Sequence, residues 1–455
     1  MTIKSKTRDP RAEYAIGVLV RTARRPGFLC YGRDCVHEGG PNVQIVSSDF
    51  FGTTYGTAAS LPKPPLPELE GVPILFGEPR VERQGHTLVV HADLVASTYF
   101  LLTRYEEWIR RDVRDAHGRF PGKQSLPYRA GFIDRPVVDE YAALLRKWAR
   151  EVGIDIPEPK RQFSVLLTHD VDSTNMPRGP IQAARSLASG MLRRRPWPAA
   201  FQAAGASLGL CRDPLDNIDE VIALDEQLTK GPFPKACKSI YFFMAGGRTQ
   251  FDRCCDVRST RARRWIEKVK ASGAQIGLHA SYEAGEHPEL VARERCVLEE
   301  AAGQPITMNR HHYLRWREPA HGHDLAKAGI NWDSTLGYPD VAGFRLGACT
   351  PVPLFDPDKQ CLIGIEEHPL IIMDRTLSDK EGMDLDDEDA AFDYVRRLID
   401  VTYRHRGELV LLWHNTALSS IYHTYHHRLY SRILQHVADL GETVLDNFPE
   451  RSDCS

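Results

Sequence analysis

The stretch from Phe163 to Asp172, Phe-Ser-Val-Leu-Leu-Thr-His-Asp-Val-Asp, constrains the fold more than any other part of this sequence. Its apolar run, with β-branched and aromatic members, reads as a strand buried on both faces, and it ends abruptly in ionisable side chains. In barrels and open α/β sheets the carboxyl ends of the strands carry the reactive groups, so Asp170 and Asp172 fall where a site is expected. An Asp-x-Asp pair also suits the cap of a following helix or turn, and the motif alone leaves both readings open.

A chain of 455 residues exceeds what one ordinary core organises and implies two domains, or a barrel with a large extension. With 58 basic and 61 acidic residues the formal charge is −3, which gives no general attraction to nucleic acid or to acidic membranes. No nucleic-acid partner is therefore expected. Ten cysteines, among them Cys30, Cys35, the adjacent Cys254 and Cys255, and Cys349, form no CxxC pair and lack the density of a disulfide scaffold, so free thiols in a reducing cytosol are expected. Met1 to Pro10 is polar and the apolar run Ala15 to Val20 is too short for a signal core or a membrane span, which predicts a cytoplasmic protein.

Residues 1–160 read as a smaller α+β domain. Leu61-Pro62-Lys63-Pro64-Pro65-Leu66-Pro67 is an extended linker, Val72 to Phe76 and Arg80 to His91 are short strands, and Asp93 to Arg111 and Val137 to Val152 are helices. Glu106 and Glu107 face different ways on their helix and read as surface ion pairs with Arg110 and Arg111 rather than as an acid-base couple. Asp112 to Pro136, carrying Arg119, Arg129 and Arg135, reads as a solvated loop. An insertion over residues 173–238 contains two Ala-rich helices, Ile181 to Leu192 and Ala199 to Leu210, around Arg193-Arg194-Arg195-Pro196-Trp197-Pro198. That basic and aromatic run reads as a solvated helix end, or as an interfacial segment in contact with a membrane.

From Ser239 onward strands and helices alternate, which argues for parallel α/β architecture. Strands are expected at Ser239 to Met244, Gln275 to His279, Ile306 to His312, Gly329 to Thr335, Cys361 to Met373 and Leu409 to His414, separated by helices. With Phe163 to Thr168 they make about seven strands, an irregular (β/α) barrel over residues 161–455. Successive strands end in His, Asp or Arg: Asp170 and Asp172, His279, Arg310 and His312, Asp333, and His414. In a barrel those ends converge on one face, where a divalent ion finds nitrogen and oxygen ligands.

Thr168-His169-Asp170-Val171-Asp172 resembles the first motif of the polysaccharide deacetylase superfamily, the NodB-homology carbohydrate esterases, in its Asp-x-Asp variant. The likeness extends from about residue 80 onward and is closest to a branch found with surface-polysaccharide gene clusters, in which a separate amino-terminal domain precedes the deacetylase-like one. The resemblance implies a metal-dependent hydrolase that removes N-acetyl groups from an amino sugar or polysaccharide precursor, with Asp170 as base and Asp172 on the metal. It further implies that Arg310 orients the base and that His414 in Leu-Leu-Trp-His-Asn is the general acid; beside them, Asp333 reads as holding His414 charged, as binding substrate or as satisfying nearby backbone donors, and Trp413 as core or as a wall of the substrate pocket. Ile276-Gly277-Leu278-His279 resembles the second motif, His-x-x-x-His, but Glu283 stands where its second histidine belongs. His312, in an Arg-x-His-Tyr motif of the branch, is the preferred replacement ligand beside His279, with Glu283 and His287 as alternatives. The implied cofactor is a divalent ion, zinc first, although oxygen and imidazole donors also suit cobalt, nickel or manganese. Two other readings stand: a non-catalytic carbohydrate-binding or scaffold homologue, and a metal hydrolase of another amide or ester. A P-loop and a GxSxG motif are both absent from the sequence.

Overall fold

The computed structural model describes residues 9–21, 26–33, 42–157, 161–192, 197–231, 235–252, 256–419, 421 and 425–447. Arg193 to Arg195, Pro196, Cys35, Cys254 and Cys255, on which sequence expectations rested, lie outside them.

Ser164–Val171 is the strand the sequence announces, and all but its first residue are buried. It runs three residues beyond the expected end at Thr168. It is the third strand from one edge of a nine-stranded sheet ordered Val352–Asp356, Cys361–Glu367, Trp332–Asp333, Met308–His311, Gln275–Ala280, Cys237–Phe243, Ser164–Val171, Glu408–Leu412, Ile372–Met373. Every neighbouring pair is parallel except Val352–Asp356 with Cys361–Glu367. The sheet curls into a half-barrel, which agrees with the expected architecture and corrects the strand count. The single strand read over Cys361 to Met373 is two strands far apart in the sheet, Cys361–Glu367 second from one edge and Ile372–Met373 at the other edge, and Val352–Asp356 was missed because a proline at its second position disguises it.

Helices cover the outer face by ordinary amphipathic logic. Glu388–Arg404 buries Ala391, Val395, Leu398, Ile399 and Thr402, an i, i+4, i+7, i+8, i+11 stripe, and the Asp387 carboxylate caps it by accepting from the Ala390 N–H. Thr260–Ser272 buries Ala262, Trp265, Ile266 and Val269 and stops at Gly273, whose φ of 86° is open to glycine at no steric cost. The insertion folds as Pro180–Leu192 and Trp197–Leu208, with a third helix at Ile218–Thr229. No helix among the described residues is long and apolar enough to cross a membrane.

Ahead of the barrel stands a four-stranded sheet ordered Leu29–Tyr31, Asn42–Ile45, Thr87–Ala92, Gly77–Gln84, accompanied by Pro10–Val20, Leu94–Leu102 and Val137–Glu151. The helix expected over Asp93 to Arg111 is two, Leu94–Leu102 and Tyr105–Ile109, because Arg104 adopts a left-handed φ of 50° between them.

One hydrophobic core runs through both halves of the chain. Two buried ion pairs cross between them: Arg104 Nε to Glu318 Oε1 at 2.8 Å, and Arg345 Nη2 to Glu107 Oε2 at 2.5 Å. The surface ion pairing expected of Glu106 and Glu107 is therefore corrected. Glu107 is buried against an arginine 238 residues away, and Glu106 is buried between Arg110 and Arg129. Among the described cysteines, Cys211, Cys237, Cys296, Cys349 and Cys361 are free thiols, whereas Cys30 is disulfide-bonded, contrary to the expectation for it.

Candidate functional site

Strand alternation sends Thr168, Asp170 and Asp172 to one face and His169 and Val171 to the other. His169 accordingly lies against Tyr241 and Asp225 outside the barrel, while Asp170 and Asp172 reach the cluster within. Asp172 Oδ1 is 3.4 Å from His279 Nε2 and 3.7 Å from His312 Nε2, and one ligand atom from each of the three residues falls within 4.8 Å of the others. The Arg310↔His279 register sets His279 beside the end of the next strand, where the chain turns to present His312.

Both imidazoles are aimed by their other nitrogens. His279 Nδ1 donates to the Arg310 carbonyl at 2.9 Å, and His312 Nδ1 lies 3.3 Å from Asp252 Oδ1. Held this way, each ring turns Nε2 toward Asp172, the arrangement by which outer partners fix metal-ligating histidines. His279 Nε2 and Asp172 Oδ1 are buried and have no hydrogen-bond partner. Burial alone would lower the His279 pKa, but Asp170 and Asp172 outweigh it and raise it. Burial would likewise raise Asp172, and His279, His312 and His414 hold it well below the usual carboxylate range. Two imidazoles and one carboxylate, with buried unpartnered atoms converging on one gap, fit a divalent cation.

Asp170 stands beside this cluster, its Oδ2 3.6 Å from His279 Nε2. Arg310 is fully buried over the Phe242 ring and is fixed by donating to Thr168 Oγ1 at 2.6 Å, to the Ser334 carbonyl at 2.8 Å and to Ser334 Oγ at 2.8 Å. Its Nη1 also donates to Asp170 Oδ1 at 3.4 Å, so the guanidinium holds the carboxylate in place.

His414 closes the far side, Nε2 3.9 Å from Asp172 Oδ2. Its Nδ1 is 2.7 Å from Asp374 Oδ1, and its backbone N–H donates to Asp374 Oδ2 at 2.9 Å. Burial would lower the His414 pKa, but Asp374 above all raises it to about 9. Asp374 follows the two-residue strand Ile372–Met373. Sequence reading missed both it and Asp252; the signal for Asp374 was an acid ending a strand, hidden because two strands were read as one.

The carboxylate expected to hold His414, Asp333, does not. It is fully buried, accepts from Asn309, from the Thr335 N–H and from Thr335 Oγ1, and is hydrogen-bonded to Glu367, a carboxyl that burial and Asp333 push well above its ordinary pKa. Trp413 is also fully buried and packs on Tyr430 at 5.1 Å. Neither lines the cavity described below. Glu283 and His287 turn elsewhere: Glu283 accepts from the Arg248 N–H, and exposed His287 lies 3.6 Å from Glu289.

Asp170, Asp172, His312 and His414 open into a cavity of about 760 Å³. Its opposite wall comes from the segment read as a solvated loop, through Asp115, His117 and Arg119. The His117 ring meets Phe251 and Tyr313 at 5.2 and 4.7 Å, and Phe251 meets Tyr282 at 4.5 Å, an aromatic rim that suits the apolar faces of a sugar. Tyr313 and Leu314, which follow His312, carry left-handed φ angles of 62° and 53°, and Arg119 Nη1 donates to the Tyr313 carbonyl at 3.0 Å.

Comparison with known proteins divides along the same line. Residues 1–153 match the model of DUF7033, a family of unknown function. No curated protein matches the chain. Among solved structures, the chain is similar to a protein of Mycobacterium smegmatis assigned to the polysaccharide deacetylases, at 15% identity and a TM-score of 0.40 over 66% of this chain and 96% of that one. A Pseudomonas aeruginosa PAO1 protein with the same assignment is 13% identical, with a TM-score of 0.34 over 66% and 97%. A CE4 family pseudoenzyme from Bacillus anthracis is 11% identical, with a TM-score of 0.30 over 63% of each chain. These three solved structures, two assigned to the polysaccharide deacetylases and one a pseudoenzyme of the CE4 family, are all similar to this chain at low identity.

Proposed function

We propose that the chain is a metal-dependent hydrolase that removes N-acetyl groups from an amino sugar or polysaccharide precursor. The observation that carries this reading is the convergence of Asp172, His279 and His312 within 4.8 Å, flanked by one carboxylate bound to a buried arginine and one histidine bound to a buried aspartate. Asp374 holds His414 in its charged form, as the acid of a hydrolytic acid-base couple requires.

Asp172, His279 and His312 would hold the ion, which when bound supplies Lewis acidity to the acetyl carbonyl and acidifies water. Asp170, oriented by Arg310, takes the proton of the attacking water. His414 keeps its proton on Nε2 because Nδ1 and the ring charge are satisfied by Asp374, and it delivers that proton to the departing amine. The aromatic rim around His117 and Tyr313 receives the sugar rings.

Acetate release from N-acetylglucosamine oligomers, measured with zinc, cobalt or manganese supplied, tests the reading. Turnover that disappears in Asp170→Asn while metal content persists supports it. Glu283, in place of the second histidine of His-x-x-x-His, favours one rival: a homologue that binds carbohydrate without chemistry. Oligomer binding without bound metal and without acetate release in the parent would select that rival.

A further inference from the structure

The helical pair inserted after Asp172 buries its small side chains and exposes its large ones. Trp197–Leu208 buries Ala199, Ala200, Ala203, Ala204, Ala206 and Ser207. Its partner, Pro180–Leu192, approaches so closely that a Cβ on Gly190 would lie 2.6 Å from the Ala200 Cβ. Outside stand Trp197, Phe201 and Leu208, which at roughly 100° per residue share an arc of about 40°. On Pro180–Leu192 the exposed Ile181, Ala184, Ala188 and Met191 lie within about 80° of one another. Leu210 follows just beyond the second helix. The large apolar side chains of this group are 48% to 77% exposed, and among the described residues the other exposed large hydrophobics are Tyr128 and Leu362 alone. Ordinary surface helices do the reverse, turning large apolar residues inward. An apolar face concentrated in this way marks an interaction surface.

Charge selects what covers it. Between Asp172 and Asp213 the sequence carries six arginines, Arg178, Arg185, Arg193, Arg194, Arg195 and Arg212, and no acidic residue, in a chain whose formal charge is −3. Arg178, Arg185 and Arg212 are exposed, while Arg193 to Arg195 fall between the two helices in sequence and lie outside the described residues. The first acids past the segment are matched by other arginines, Asp213 with Arg261 at 3.0 Å and Asp216 with Arg264 at 2.5 Å. Outward aromatic and aliphatic side chains beside arginines, with no carboxylate in the segment to repel lipid phosphates, suit the boundary between headgroups and acyl chains of an anionic bilayer. A nucleic acid requires cations, not Trp197 and Phe201, at the centre of the face. A second copy docked on the same face sets six arginines against six.

We propose that Pro180–Leu192 and Trp197–Leu208 seat the protein on an anionic membrane surface. At 13 and 12 residues the two helices lie in the interface and are too short to span it. They leave the sheet at the strand end that carries Asp170 and Asp172, so seating turns that end of the barrel toward the bilayer. The seating stands independently of the hydrolytic reading of the cavity.

Flotation of the full-length chain with vesicles of equal parts phosphatidylglycerol and phosphatidylcholine, at about 0.1 M salt, tests this. The parent is expected to float with them, and at least about tenfold more weakly with phosphatidylcholine alone, where the electrostatic attraction is missing. Combining Trp197→Ser with Phe201→Ser is expected to lower affinity for the anionic vesicles at least about tenfold, with the melting temperature unchanged because both side chains are exposed. Should that double variant melt early, Arg178→Glu with Arg185→Glu takes its place, with the same loss of about tenfold expected. Leu362→Ser, an exposed apolar position outside the helical pair, is expected to bind as the parent does. A parent that stays unbound overturns the proposal, as do equal binding to neutral vesicles, unchanged affinity in the folded double variant, or an equal loss in Leu362→Ser. A concentration-dependent dimer in sedimentation, abolished by the double variant while vesicles go unbound, overturns it in favour of a second copy on the same face.

Discussion

Asp374 Oδ1 stands 2.7 Å from His414 Nδ1, and this contact decides which histidine nitrogen faces the cavity. Asp374→Asn keeps the shape but removes the charge that favours the imidazolium. We expect kcat for acetate release to fall about 10²-fold, the scale of a general acid's contribution, with KM within about twofold. Steady-state kinetics at saturating metal checks it; an unchanged kcat would remove His414 from the chemistry.

Metal content discriminates the ligand set. Elemental analysis of protein purified without a histidine tag is expected to find about one ion per chain, consistent with one three-residue cluster. Asp172→Ala and His312→Ala should lose it, whereas Glu283→Ala and His287→Ala should keep it, because those side chains face Arg248 and Glu289. Retention in His312→Ala would move the third ligand elsewhere.

Arg119 should matter to the metal without touching it. Its hydrogen bond to the Tyr313 carbonyl restrains two successive left-handed residues directly after His312. Left-handed conformations cost roughly 1–2 kcal/mol per non-glycine residue, so the turn needs outside restraint. Arg119→Ala is expected to weaken metal affinity about tenfold by competition with a chelating dye, with the melting temperature nearly unchanged. Full metal affinity in Arg119→Ala would show that the turn holds itself.

A stability test lies away from the cavity. His368 is nearly buried, stacks on Trp332 at 4.4 Å, and sits 2.5 Å from Glu408 and 3.2 Å from Glu366. Burial opposes its protonation, yet Glu366 and Glu408 outweigh this and raise its pKa above 6.5. A folded-state value above the unfolded one contributes stability that is full below about pH 6.5 and is lost as pH rises through the folded value. Glu408→Gln should therefore be less stable than the parent by about 1.5 kcal/mol at pH 6, a gap that narrows by pH 9. Urea unfolding at both values measures it, and a gap independent of pH would be the contrary result.

The sequence was most legible where burial was two-sided. Ser164–Val171 and Gln275–Ala280 are built on apolar runs, Val165 to Leu167 and Ile276 to Leu278, so both they and the side chains at their ends, Asp170, Asp172 and His279, could be read directly. Arg310 and His312 followed from strand position. Asp374 did not, because Ile372–Met373 is too short to carry a period and was fused with Cys361–Glu367. Asp252 lies in the loop after Cys237–Phe243, where no periodicity exists to read. Asp333 misled for a physical reason: a carboxylate at a strand end looks the same in sequence whether it faces a cavity or, as here, is satisfied by Asn309, Thr335 and Glu367. Loop composition hid the role of His117 and Arg119, since arginine-rich, glycine-rich chain reads as solvent-facing whatever it leans on.

The two buried ion pairs between the halves, Arg104 with Glu318 and Arg345 with Glu107, bear on how such a protein can change over generations. Exchanging either half for an unrelated one strands two charges in a dry interior, a defect of several kcal/mol that ordinary recombination has no means to repair in one step. Residues on the rim of the cavity, such as Gln250 and Phe251, face no such penalty and are free to drift. Lineages of this chain should therefore inherit both halves together while diversifying what the cavity accepts.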